Sequence, residues 1–562
     1  MKLVTVEEMK QLEQAADAAG HSYAEMMERA GRSVARAIQE RVTIKGKVTL
    51  VLIGPGNNGG DGLVAARYLK EAGGMVICYL WKSRPQDDPN LKRVQERNIA
   101  CLCSDNDGRH GTLRKALRDA DVIVDALLGT GASRPIKGKL KEILDIVRAA
   151  VHQRRTAEKP ERVTLGPSPS LPKALSSTPL VVAVDVPSGL DCDTGQVDPA
   201  TLPADLTVTF AAPKRGQFRF PGASLIGELI VADIGIDPRL SEEIRVQVAT
   251  AQDVSVLLPA RPLDAHKGTF GKAMIVAGSV YYTGAPYLAA AAAARVGAGL
   301  VTLAPPRPLH SVLAAKLTEA TFILLPHSMG VLDANAVKVL ASKVEGYTAL
   351  LLGPGLGGEK ETIAFVHKLL GVAQDSSSRL GFLRGEEVHA ERVRLPPLVV
   401  DADGLNALAK VEGWSKYVPE NSILTPHPGE MARLMGVERA AMDPDRVALA
   451  AKQASEWEQV VVLKGAHTVI AAPDGRVTVL PFANPGLATG GTGDVLAGAI
   501  VGLLAQGLTP YDAAICGAYL HGLAGQIVAE QMGASGMLAS DLLPVLPQTI
   551  ARLTSQGVHQ RS

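Results

Sequence analysis

Short, continuous apolar runs alternate with segments of helical period along most of the chain. The first set is "VTLVLI", "MVICYL", "DVIVDALLG", "LVVAVDVPSG", "DLTVTFAAP" and "GELIVADIG". Such runs, β-rich and apolar on both faces, predict strands covered by helices on either side. Helices between them imply right-handed crossovers and a largely parallel sheet. Two helix starts come first: Thr5–Glu8 and Ser22–Glu25 both read S/T-x-x-E, a spacing that lets hydroxyl and carboxylate satisfy each other's backbone N–H. The pattern weakens between Ile236 and Leu258, then resumes with "KAMIVAGS", "GLVTLAPP", "TALLLGPG", "PLVVDADG", "SILTPHPGE" and "QVVVLKG", with helices over "GAPYLAAAAAARVGA" and "GTGDVLAGAIVGLLAQG". A boundary at residue 240 therefore predicts two α/β domains, 1–240 and 241–562. Residues 154–179 and 373–396 interrupt the pattern with polar, Pro/Ser-rich or charged sequence and read as surface insertions with some disorder. No repeat of solenoid period is present.

Composition changes little in that picture. A chain of 562 residues is too long for one ordinary core, and 46% apolar with 20% charged residues is a globular profile. The formal charge of +1 gives no electrostatic reason to expect nucleic acid or an anionic membrane as partner. Five cysteines without a paired C-x-x-C read as free thiols of a reducing cytosol. The N-terminus lacks an apolar segment of signal length, and "YLAAAAAARVGAGLV", interrupted by Arg295, reads as a buried helix.

Candidate chemistry gathers where strands end. "GPGNNGGDG", residues 54–62, follows an apolar strand and precedes a helix. At the carboxyl edge of a parallel sheet, glycines allow positive φ and close approach of backbone N–H groups to a phosphate, and the helix adds its positive end. The loop matches neither a Walker sequence nor a G-x-G-x-x-G fingerprint, and taken alone it fits a tight strand-to-helix turn as well. Asp125, the small-residue loop Gly129-Thr130-Gly131, Asp185 and Ser188 end other strands and are expected at the same edge. A carboxylate leaving an apolar strand must be paired, solvated or cation-bound. Asn58, Asp125 and Ser188 supply oxygens suited to a hard cation, whereas any one aspartate could simply cap a helix.

In the second half, "ATGGTGDVLAG" places a glycine turn at a helix start, where N–H groups can hold a phosphate and Asp494 can accept a proton from a hydroxyl or cap the helix. "GPGLG", residues 353–357, is another glycine turn. His427 lies between two prolines, with no His or Cys spacing of a zinc site, and fits a ligand contact or a structural histidine. Lys464 of "LKGAHT" fits a phosphate contact or a solvated loop lysine.

Together, "GPGNNGGDG", "DALLGTG", "DVPSGLDCDTG" and "TFAAPKRGQF" make residues 1–240 resemble the NAD(P)H-hydrate epimerase domain. The resemblance implies a Rossmann-like three-layer sandwich. It also implies that Asn57, Asn58, Gly59, Gly60 and Asp61, with Gly129, Thr130, Gly131, Ala132, Ser133, Arg134 and Pro135, contact the hydrate. By the same likeness Asn58, Asp125 and Ser188 hold potassium, and Asp185 meets the reacting ring as acid/base. "HKGTFGKAMIVAGS", "GPGLG", "DADGLNAL", "TPHPGE" and "GTGDVLAG" make residues 250–552, apart from the insertion near 373–396, resemble the ADP-dependent NAD(P)H-hydrate dehydratases of the ribokinase-like superfamily. This implies a ribokinase-like α/β domain with Asp494 as base. Ala285, Gly357 and His427 would contact the hydrate, although neighbouring small residues could stand in for Ala285 and Gly357. Lys464, Gly465, Ala466, His467, Thr468 and Gly493 would line the nucleotide site.

The pairing implies one repair sequence: the first domain interconverts the R and S hydrates, and the second dehydrates the S form. The implied substrates are NADHX and NADPHX with ADP, ATP being the alternative donor, and magnesium accompanies the nucleotide. A cytoplasmic homo-oligomer assembled through the second domain, a tetramer among its forms, is also implied. Two alternatives stay open: a small-molecule kinase for the second half, and a non-catalytic interaction module for the first.

Overall fold

The computed structural model describes residues 1–131, 135–156, 178–372 and 393–558. The chain divides into two compact units, residues 2–244 and residues 245–562 with Met1. The first unit contains β1 (Val48–Ile53), β2 (Met75–Leu80), β3 (Ala100–Cys103), β4 (Val122–Ala126), β5 (Leu180–Val184), β6 (Leu206–Phe210) and β7 (Glu228–Ala232). They form one all-parallel sheet in the order β3-β2-β1-β4-β5-β6-β7. Alternate residues feed two cores. Leu50 and Leu52 pack with the helices Gly111–Asp119 and Gly138–Thr156, while Val51 and Ile53 pack with Tyr23–Gln39 and Asn57–Glu71. This is a three-layer sandwich. Both capping boxes form: Thr5 and Ser22 accept from the N–H of Glu8 and Glu25, whose carboxylates return the bond. The winding direction reverses between β1 and β4, which opens a crevice at their carboxyl ends.

The second unit contains β8 (Val246–Val248), β9 (Lys272–Val276), β10 (Leu300–Leu303), β11 (Thr321–Phe322), β12 (His327–Ser328), β13 (Val331–Leu332), β14 (Ala349–Leu352), β15 (Leu398–Val400), β16 (Ile423–Leu424), β17 (Val460–Leu463), β18 (Val469–Ala471) and β19 (Val477–Val479). All but the β12–β13 ribbon share one sheet, β11-β10-β9-β14-β15-β16-β17-β18-β19-β8, parallel from β11 to β17. Ala273 and Ile275 face one core with the helices Gly284–Arg295, Thr492–Ala505 and Pro510–Met532; Met274 and Val276 face the other. Here the winding reverses between β9 and β14. The three-residue β8, in the stretch where the sequence pattern faded, is an edge strand of this sheet.

Among the described residues no helix is long and apolar enough to cross a membrane. The alanine-rich run is the helix Gly284–Arg295 followed by β10, and all five cysteines are free thiols. Of the two insertions, residues 154–156 close the helix Gly138–Thr156, and 157–177 and 373–392 lie outside the described residues.

The opening glycine motif differs from its sequence reading. Its helix begins at Asn57, so six of the nine residues belong to the first turns, and none of Gly54, Gly56, Gly59, Gly60 or Gly62 has positive φ. Glycine is required there for contact distance. A Cβ on Gly54 would lie 1.9 Å from the Leu127 carbonyl oxygen, one on Gly59 would lie 2.0 Å from that of Gly54, and one on Gly62 would lie 2.5 Å from Ala126 Cβ. Gly54→Ala must push β1 and β4 apart where their loops meet, and overpacking of this kind costs on the order of 3 kcal/mol. The unfolding of the first unit in urea should shift to lower denaturant while that of the second unit stays in place.

Candidate functional sites

In the first unit the loops after β1, β4 and β5 meet at the crevice. The helix Asn57–Glu71 starts without a side-chain cap, and among the described residues the N–H groups of Asn57, Asn58 and Gly59 have no acceptor. Three free N–H groups at a helix start can bind an anion. Arg84, reaching in from beyond β2, donates to the carbonyls of Gly54 (2.6 Å) and Gly56 (3.0 Å) and is fixed by Asp88 (2.7 Å). The bare turn is thus braced from behind.

Asn58, Asp125 and Ser188 converge on the backbone of Leu127 and Leu128. Asn58 Nδ2 donates to the Leu128 carbonyl (2.9 Å), and Ser188 Oγ accepts from the Leu128 N–H (2.9 Å) while donating to Asp125 Oδ1 (2.6 Å). The second oxygen of Asp125 accepts from the Ser188 N–H (2.9 Å), so this carboxylate caps no helix. Burial raises its pKa against those bonds. One atom is left over: Asn58 Oδ1 is buried and has no hydrogen-bond partner. The amide nitrogen is already committed to Leu128, so this oxygen is fixed as an orphaned acceptor. Gly129 packs on Asn58, Thr130, Gly131 and Pro135 border the crevice partly or fully exposed, and Ala132, Ser133 and Arg134 lie outside the described residues.

Asp185 follows β5 at φ 64, a conformation few non-glycine residues adopt. Its Oδ1 accepts from Lys214 Nζ (2.6 Å) and Thr209 Oγ1 (2.9 Å), and Gln217 Nε2 donates to its carbonyl (2.9 Å). Lys214 is 1% exposed. Two further carboxyls feel this pair. Asp61 is raised well above the usual range by burial and then by Asp185 and Glu13; Glu13 is raised by burial, with Lys214 opposing it and Asp185 adding to it. Lys214, Thr209 and Gln217 were not singled out from sequence. The one available signal was a lysine directly after the apolar "TFAAP", too close to a strand end to be freely solvated.

In the second unit, loops after β9, β14, β15, β16 and β17 line one edge. Asp494 is in the first turn of the helix Thr492–Ala505, which is capped by Gly491 at φ 91 with no side-chain bond. Asp494 therefore does not cap, and its carboxyl has no hydrogen bond among the described residues. Its pKa is raised to about 7, by burial first and then by Asp401 and Asp403, with Lys464 opposing them. The N–H groups of Gly493 and Asp494 also have no acceptor among the described residues. Lys464 is no solvated lysine. Its Nζ lies 2.7 Å from Asp401 Oδ1 and 3.6 Å from Glu430 Oε2. Burial works against its charge, yet the two carboxylates raise its pKa on balance. A Cβ on Gly493 would sit 3.8 Å from that Nζ, so the lysine stands beside the helix start whose N–H groups lack acceptors among the described residues.

His427 caps the helix Pro428–Met435: Nδ1 accepts from the N–H groups of Gly429 and Glu430, and the Glu430 carboxylate accepts from the His427 N–H. Its neutral form therefore carries the proton on Nε2, which lies 3.4 Å from Glu430 Oε1. Burial lowers its pKa. Gly357, at φ 92, donates to Asp403 Oδ2 (2.9 Å), and Ala285 lies against Gly355 at the β9–β14 reversal. Asp401 and Asp403 flank Ala402, held at φ 50 and ψ −115. Strain of this kind persists only where surrounding structure enforces it.

The stretch 464–468 is shaped by a residue that sequence reasoning passed over. Arg446 donates to the carbonyls of Leu463, Lys464, Ala466 and His467, leaving Gly465 and Ala466 exposed at the edge. Burial lowers the Arg446 pKa and also that of His467. Thr468 closes the turn by accepting from the Gly465 N–H and donating to its carbonyl. His521, buried with Nε2 unpartnered, and Ser279, with its hydroxyl unpartnered, were also missed. Both read from sequence as ordinary core residues.

A family model described as NAD(P)H-hydrate dehydratase matches residues 273–548, and one described as YjeF-related protein N-terminus matches residues 23–216. The chain is similar to the bifunctional NAD(P)H-hydrate repair enzyme of Moorella thermoacetica, 39% identical over 99% of this chain and 98% of the relative. It is also similar to that of Escherichia coli, at 32% over 98% and 94%. Among solved structures, the ADP/ATP-dependent NAD(P)H-hydrate dehydratase of Bacillus subtilis, co-crystallised with ATP and Mg2+, is 32% identical, covering 55% of this chain and 99% of its own with a TM-score of 0.45. With both modules in order and near-complete coverage at that identity, the chain belongs to the bifunctional NAD(P)H-hydrate repair enzymes.

Proposed function

We propose that the second unit dehydrates the S hydrate of NADH or NADPH at the expense of ADP, and that the first interconverts the R and S hydrates to supply it. The observation that carries this reading is Asp494: a carboxyl that, among the described residues, has no hydrogen bond, with its pKa raised to about 7, beside unpaired N–H groups and a half-buried lysine at a helix start. That set removes a proton from a hydroxyl while a phosphoryl group is held next to it. Asp494 takes the hydrate's C6 hydroxyl proton as that oxygen attacks the β-phosphorus of ADP, and AMP departs. The ring nitrogen lone pair expels phosphate from C6, and loss of a C5 proton restores the dihydronicotinamide. The products are NAD(P)H, AMP and phosphate. Lys464, Gly493 and the 465–468 turn hold the nucleotide, and Ala285, Gly357 and His427 border the hydrate. Magnesium would accompany the nucleotide and screen its phosphates; among the described residues no cluster of three or more His, Cys, Asp or Glu side chains could hold it by itself.

In the first unit, the helix start at Asn57 receives the hydrate's phosphates, and Asp185 exchanges a proton with the reacting ring. The orphaned Asn58 Oδ1, with Asp125 and Ser188, fits a potassium ion: oxygen donors, one carboxylate and no soft ligand. Such a cation fixes the crevice loops and offsets the buried carboxylate. Exchanging K+ for tetramethylammonium should slow epimerisation roughly 10-fold, in the range of a lost supporting contact. Asn58→Ala should be equally slow in either salt.

Product analysis tests the dehydratase reading against a kinase. With S hydrate and ADP, the expected products are NADH, AMP and free phosphate in equal amounts. Phosphate retained on the organic substrate would establish a kinase instead.

A further inference from the structure

We propose that Lys214 is a positioning residue for epimerisation: with Thr209 it locks one oxygen of Asp185, so that the other is the oxygen that exchanges a proton with the hydrate. The inference rests on the reading of Asp185 as the acid/base. Lys214 Nζ spends its three N–H bonds inside the protein, on Asp185 Oδ1 (2.6 Å), Thr209 Oγ1 (2.8 Å) and the Phe210 carbonyl (3.3 Å). None is left for a substrate. Thr209 Oγ1 donates to the same Oδ1 (2.9 Å), while Oδ2 has no hydrogen bond among the described residues. The main chain of Asp185 is fixed as well: its N–H donates to Val208 (2.8 Å) and its carbonyl accepts from Gln217, whose own Oε1 accepts from the Lys214 N–H (2.9 Å). Side chain and backbone are therefore held from one direction, with a single carboxylate oxygen facing the crevice.

Stability does not account for this arrangement. A buried ion pair is commonly no better than a well-packed apolar pair of equal volume, because both charges must shed water. A lysine at 1% exposure, set against an aspartate at φ 64, makes sense as a device for orienting that carboxylate. Lys214 is also the cation common to Asp185, Asp61 and Glu13.

The test is a double-mutant cycle on the full chain, following R-to-S conversion without ADP. Lys214→Met should lower kcat for epimerisation roughly 100-fold, a typical share for a positioned acid/base, with KM largely unchanged. Thr209→Val should give a smaller loss of the same kind. In an Asp185→Asn background, Lys214→Met should add nothing, because a residue that acts through Asp185 has no further effect once Asp185 is disabled. The urea unfolding transition of the first unit in each variant serves as the control that this unit is folded, and ADP-dependent dehydration of S hydrate as the control for the second unit. If the two losses multiply, if Lys214→Met raises KM alone, or if it leaves kcat unchanged, the proposal is overturned. If Asp185→Asn itself epimerises normally, the underlying reading of Asp185 fails instead, a distinguishable result.

Discussion

Asp494→Asn should stop ADP-dependent dehydration, lowering kcat by at least about 1,000-fold as expected for loss of a base and of its charge together, while R/S exchange continues. The environment adds a pH signature. Desolvation, with the charges of Asp401 and Asp403, raises the pKa of the half-buried Asp494 to about 7. A base works when deprotonated, so below that value the dehydration rate of the native chain should fall about tenfold per pH unit, and above it the rate should level off. Asp401→Asn removes one carboxylate that raises this value and releases Lys464, which lowers it; both changes move the acid limb to lower pH. An unmoved limb would mean that another group controls the rate.

Asp185→Asn should have the complementary effect. Asparagine preserves shape and keeps a partner for Thr209 but cannot shuttle a proton, so R-to-S conversion should fall about 100-fold or more, to a residual rate still measurable above spontaneous exchange. Dehydration of pure S hydrate should proceed at the native rate. A mixture of R and S would then yield NADH in a fast phase equal to the S fraction, followed by a slow phase set by the residual exchange. If the variant still converted the whole mixture quickly, Asp185 would be a binding group, and Asp61 or Glu13 would be the remaining carboxyls in reach of the pair.

The fold was legible wherever backbone pattern dictates it. Apolar runs located the central strands because a strand covered on both faces has no alternation to obscure it, and Thr5 and Ser22 announced their helices through local capping chemistry. Three-residue β8 left no such trace. The glycines of 54–62 are needed for a different physical reason than sequence suggests: steric contact with Leu127 and Ala126, which no local rule can reveal. Candidate residues at strand ends could be grouped from sequence because topology sends strand ends to one edge. Residues that act on them from elsewhere were not. Lys214 reaches Asp185 from beyond the next strand, and Arg446 reaches the 463–467 carbonyls from a separate helix. In sequence Arg446 is a single charged residue with an ordinary solvated reading, and Lys214 betrays itself only by its closeness to a strand end. Asp401 and Glu430 likewise acquire meaning only as partners of Lys464.

The most direct test of the two-step account is recovery of the NADH absorbance band from an R/S hydrate mixture, with and without ADP. The account predicts complete recovery with ADP, faster than spontaneous exchange allows, and none without it. Recovery that halts at the S fraction would contradict an active first unit, and no recovery with either ADP or ATP would contradict the repair reading as a whole.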